Sequence, residues 1–76
     1  MDPDLLKLEP KRPENCLDYK TQPEVVIEYF ERRLEWLNLV WKKAYGQGKL
    51  ATESDMAWSR AMIRFAQDEL ARRQQS

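Results

Sequence analysis

PEVVIEYFERRLEWLNLVWKKAY, residues 23–45, is the stretch whose reading decides the fold. Val26, Ile27, Phe30, Leu34, Leu37, Trp41, Ala44 and Tyr45 recur at the three- and four-residue spacing of one helix face. A second stripe, Val25, Tyr29, Trp36 and Val40, flanks the first, so apolar residues run round about half of the helix circumference. Thr21-Gln22-Pro23-Glu24 has the Thr-x-x-Glu spacing of a capping box, with proline in a first turn where its missing N–H costs nothing. Lys42 and Lys43 complement the dipole in the last turn, and Gly46 is the expected left-handed cap.

Working outward, a second helix is expected over 52–74. Thr52 is its candidate N-cap, and Glu53 and Asp55 place negative charge in its first turn. Met56, Ile63 and Leu70 fall a heptad apart with Ala66 beside them, and Trp58, Ala61, Met62 and Phe65 form a neighbouring stripe. Arg64–Asp68, Asp68–Arg72 and Glu69–Arg73 sit at helical charge-pair spacing. Residues 46–51, with two glycines, read as the short connection between antiparallel helices. No strand alternation competes with this reading.

Residues 1–22 form an N-terminal arm in which Pro3, Pro10 and Pro13 recur among charged residues. Asp2-Pro3 is placed to start one helical turn within 3–9, with Asp2 as N-cap, and Pro10 to end it. The expected fold is therefore all-α: an antiparallel two-helix hairpin over 23–76, preceded by an extended, proline-containing arm.

A two-helix hairpin needs only a narrow apolar seam, and both helices carry more than that. The surplus must be covered by the arm, by a second copy or by another protein. Closure of a homodimer as a four-helix bundle is the favoured expectation, because 76 residues lie near the size at which one core barely offsets chain entropy.

Composition narrows the function. The sequence has no histidine and a single cysteine, Cys16, which removes the commonest metal ligand, the commonest neutral-pH base and any disulfide within the chain. Cys16 has neither a basic cluster nor a Cys-x-x-Cys partner to activate it. Thirteen basic and thirteen acidic side chains balance, unlike the clustered charge of a dedicated nucleic-acid binder. No stretch has the length and apolarity of a membrane span, and the acidic Met1-Asp2-Pro3-Asp4 is unlike a secretory leader, so a cytoplasmic, reducing setting is expected.

Glu28, Glu31 and Glu35 line a polar helix face rather than a pocket, and Gly46-x-Gly48-Lys49 lacks the strand and spacing of a phosphate loop. No catalytic residue, cofactor, metal or small-molecule substrate is expected.

The function expected is non-enzymatic: a small protein–protein interaction module, whether adaptor, inhibitor or assembly factor. Its partner is another protein or a second copy of itself. Val25, Tyr29, Arg33, Trp36 and Val40 form the candidate partner surface, since aromatics are enriched at interface hot spots; burial of Trp36 under the arm is the alternative. Arg33 either stacks on Tyr29 or Trp36, reaches a carboxylate across an interface, or keeps its head in water. Trp41 and Trp58 are expected as neighbours in the core near the loop end of the hairpin. Two further readings stand beside this one: an RNA- or DNA-binding dimer using Arg60 and Arg64, and a structural subunit of a larger complex.

Overall fold

The computed structural model describes residues 3–13 and 18–75, and among them there are three helices and no strand: α1 (Pro3–Leu8), α2 (Pro23–Lys43) and α3 (Gly46–Gln75). Asp2, the expected cap of the first turn, and Cys16 lie outside the described residues. The two long helices pack against each other and α1 lies against α2. The 30 residues of α3 account for the 46 Å long axis of the molecule, at about 1.5 Å of rise per residue.

The entry to α2 differs from a capping box. Gln22 is the N-cap and makes no side-chain capping bond. The preceding turn is instead organised by Asp18. Its carboxylate accepts from the Lys20 backbone N–H at 2.9 Å, and its carbonyl accepts from the backbone N–H groups of Thr21 and Gln22. Pro23 then begins the helix without leaving a donor unpaired.

The hairpin turn is also tighter than the expected loop over 46–51. α2 stops at Lys43, Ala44 adopts an extended backbone, and its N–H reaches back to the carbonyls of Val40 and Trp41. Gly46 has φ +60, and this left-handed residue starts α3 rather than capping α2. Thr52 therefore lies inside a helix, where its hydroxyl donates to the Gly48 carbonyl at 2.8 Å. Each glycine costs a helix about 1 kcal/mol relative to alanine, which is why the glycine pair reads as loop in isolation. The helix nevertheless begins at Gly46, and Lys49 in its first turn places Nζ 3.9 Å from the centre of the Trp41 ring.

The core is divided. Towards the hairpin turn, Trp36, Leu37, Val40 and Met56 cluster with Leu5 of α1, and Leu34 and Trp41 pack at the edge. Towards the open end, Val26, Phe30, Met62 and Ala66 cluster, bordered by Tyr19, Ile27, Tyr29 and Ile63. Ser59 is fully buried, and its hydroxyl donates to the Asp55 carbonyl one turn back at 2.8 Å. Small residues at 59 and 66 on the buried face of α3 allow the two helices to approach closely.

At the open end, Tyr19 packs against Phe65 with ring centroids 5.6 Å apart, and the Arg73 guanidinium donates to the Lys20 carbonyl. Of the charge pairs expected along α3, Glu69–Arg73 is formed at 3.5 Å, and Glu69 also meets Arg72 at 3.5 Å, a pair not expected.

Candidate interaction site

The expected partner surface on α2 does not survive as one exposed patch. Trp36 is only 6% exposed, and its indole N–H donates to the Leu5 carbonyl at 2.6 Å. Val40 is buried in the same cluster, Tyr29 is half-buried, and only Val25 of the apolar members stays exposed. The cause is α1. Pro10 ends it after one and a half turns, so its lone buried residue, Leu5, seats against Trp36. A carbonyl near the end of so short a helix lacks an intrahelical donor, and the buried indole supplies one. The surplus apolar stripe of α2 is thus largely covered from within the chain.

Arg33 marks the polar waist between the two core clusters. Its Nε and Nη2 donate to Oδ1 and Oδ2 of Asp55 on α3 at 3.2 and 2.6 Å, a two-point fork. Its Nη1 donates to Glu9 Oε1 and to the Tyr29 hydroxyl, each at 3.4 Å, and its guanidinium lies 5.6 Å from the Trp36 ring centre. The carboxylate it reaches is therefore within the chain, not across an interface. Its hydrogen bonding to the Asp55 carboxylate raises the Arg33 pKa above the ordinary arginine value, against a smaller opposing effect of burial. One side chain thereby ties α2, α3 and the segment after α1 together.

Beside this waist opens a cleft of about 680 Å³ whose walls come from three elements. Leu6, Lys7, Glu9 and Pro10 form one side, with Lys11 and Arg12 beyond them. Tyr29, Phe30 and Arg33 of α2 form the floor, and Asp55 and Trp58 of α3 form the opposite wall. Trp58 is 58% exposed, so its expected place in the core is corrected. It is not a neighbour of Trp41 either. Because α3 starts at Gly46, Trp58 lies roughly three turns beyond the hairpin turn, on the order of 18 Å by helix rise. Trp41 stays near the turn, half-buried, with its N–H on Glu53 Oε1 at 3.0 Å.

Other apolar side chains remain open. Leu8 and Leu39 border a shallow groove with Arg32 and Glu35, and Tyr45 and Leu50 are exposed near the hairpin turn. Arg60 and Arg64, the alternative nucleic-acid contacts, are both exposed on α3, one turn apart. Among the described residues, no group of three or more His, Cys, Asp or Glu side chains is placed to hold a metal ion, and no helix is long and apolar enough to cross a membrane.

The cleft residues Lys7, Lys11, Arg12, Asp55 and Trp58 escape a reading based on helix stripes alone. The signal for Trp58 lies in its neighbours. The buried positions Thr52, Met56, Ser59, Met62 and Ala66 trace the seam of α3, and Trp58 stands off that line. No family model, no curated protein and no solved structure matches this chain.

Proposed function

We propose that this chain is a small non-enzymatic protein–protein interaction module, an adaptor, inhibitor or assembly factor, working through the apolar side chains left open once the arm has docked. The exposed indole of Trp58 carries the reading. A tryptophan is the costliest side chain to leave in water and the one most enriched at binding hot spots, and this one forms the wall of a cleft rather than standing alone. The candidate surface accordingly moves from the α2 flank to the cleft between the arm and α3.

A second copy is one partner within this reading. Exposed Leu39 on α2 and Leu50 on α3 supply apolar area for a homodimer closed as a four-helix bundle. A single cysteine fits work in the reducing cytoplasm.

The photo-crosslinking amino acid p-benzoylphenylalanine in place of Trp58, which keeps a large aromatic side chain on the cleft wall, used in cells and with the purified chain, tests the module. The expected result is a discrete adduct, either with a second copy or with another protein, that is lost when the crosslinker is moved to exposed Gln67. Equal, diffuse labelling from both positions would overturn the reading. Sedimentation equilibrium over a wide concentration range then tells the two kinds of partner apart.

A further inference from the structure

Charge in the Trp58 cleft is arranged asymmetrically. Its lining holds two carboxylates, Glu9 and Asp55, and both already face Arg33, at 3.4 and 2.6 Å. It also holds Lys7, Lys11 and Arg12, all exposed, and none of them is paired with a carboxylate among the described residues. An exposed indole and the exposed Leu6 therefore sit among three cations that pair with no carboxylate among the described residues.

We propose that the cleft between the arm and α3 is a docking site for an acidic peptide segment of another protein, one that places a large apolar side chain against Trp58 and Leu6 and its flanking carboxylates against Lys7, Lys11 and Arg12. The inference rests on the interaction-module reading and names its partner class. Each half of the arrangement has a separate role. Apolar contact with the indole supplies affinity, and the three cations select sign and speed encounter.

The alternative polyanion, a nucleic acid, suits the cleft less well. Leu6 and Pro10 stand with Trp58 in the lining, apolar surface that a large apolar side chain fills and a phosphate backbone does not.

The arrangement also keeps the cations available. Arg33 takes up Glu9 and Asp55, and among the described residues no ion pair joins Lys7, Lys11 or Arg12 to α3.

Fluorescence anisotropy with the full chain tests this. The probe is a labelled short peptide of glutamates with a central Leu-Phe pair; the controls are the same peptide with lysines for glutamates, the all-glutamate peptide without the apolar pair, and a labelled single-stranded oligonucleotide. The expected result is saturable binding of the Glu/Leu-Phe peptide, at least about tenfold tighter than either peptide control and weakened by salt. Trp58→Ala, and separately the combined Lys7→Glu, Lys11→Glu and Arg12→Glu variant, should each weaken it by about tenfold or more with unchanged far-UV circular dichroism.

Equal or tighter binding of the lysine peptide overturns the proposal. So does preferential binding of the oligonucleotide through the same cations. Absence of peptide binding, with crosslinking from position 58 joining two copies of the chain, overturns the acidic-peptide inference while leaving the interaction module standing.

Discussion

Around Trp36 the N-terminal segment lays α1 against α2, buries Leu5 and accepts the indole N–H; around Trp58 the same segment forms only the far wall of an open cleft. Both tryptophans lie beside the arm, and they end at 6% and 58% exposure. The difference comes from what the arm brings to each. Trp36 meets a leucine and an orphan carbonyl, which satisfy both its apolar ring and its polar edge. Trp58 faces a cleft rimmed by Lys7, Lys11 and Arg12, which keep their heads in water and close nothing over it. A small chain thus uses one tryptophan to complete its core and keeps the other available.

The comparison breaks first if the Trp36 side is not the core. Leu37 is 3% exposed at the centre of that cluster. Leu37→Asp should abolish the cooperative thermal transition. An unpaired charge there costs several kcal/mol, on the order of the whole stability of a domain this size. A folded, cooperatively melting Leu37→Asp chain would mean that the cluster does not hold the hairpin together.

Next in size, Trp36→Ala should destabilise the isolated chain by about 3 kcal/mol or more, read as a lower urea midpoint with m little changed. Trp36→Phe sharpens the test, since it keeps most of the ring and removes the donor to the Leu5 carbonyl. A loss of about 1–2 kcal/mol is expected, with faster hydrogen exchange in α1 than in α2. Unchanged stability in both variants would return Trp36 to the partner surface.

These two tryptophans also mark how far the sequence was legible. The helical stripes of residues 23–45 and 52–74 announce two packed helices, because periodicity reports burial on a helix directly. The stripe width on α2 correctly announces covered surface beyond a two-helix seam, but it carries no information on what covers it. That depended on Pro10 ending α1 where Leu5 reaches Trp36, a long-range coincidence invisible to local pattern.

The turn was misread for a related reason. Gly46 and Gly48 have low intrinsic helix propensity, yet both lie within α3. Moving that start by two turns displaces Trp58 along the hairpin, away from Trp41. One boundary therefore accounts for the misplaced tryptophan pair, and it relocated the candidate site.

A smaller effect is expected at the waist between the two regions. Arg33→Lys keeps the charge but loses the fork onto both oxygens of Asp55. With Arg33 and Asp55 side chains still 19% and 31% exposed, solvent screening limits the loss to about 1 kcal/mol. A double-mutant cycle with Asp55→Asn should show coupling of about 0.5–1 kcal/mol. Coupling near zero would mean that the waist does not position the cleft wall, and the Trp36 and Trp58 sides would then be energetically independent.

The smallest stability effect belongs to Trp58, and its smallness is the point. Because the indole already faces water, Trp58→Ala should change the urea midpoint by no more than about 0.5 kcal/mol equivalent. A core tryptophan loses transfer energy and leaves a cavity when truncated; an exposed one does neither. Under the docking proposal the same substitution should nevertheless weaken binding of the acidic peptide, because the contact it removes would form only on binding. Should Trp58→Ala instead cost the free chain as much as Trp36→Ala, the cleft would be closed in solution by the arm. The docking site would then have to be sought among Leu39, Tyr45 and Leu50, exposed apolar residues outside the cleft.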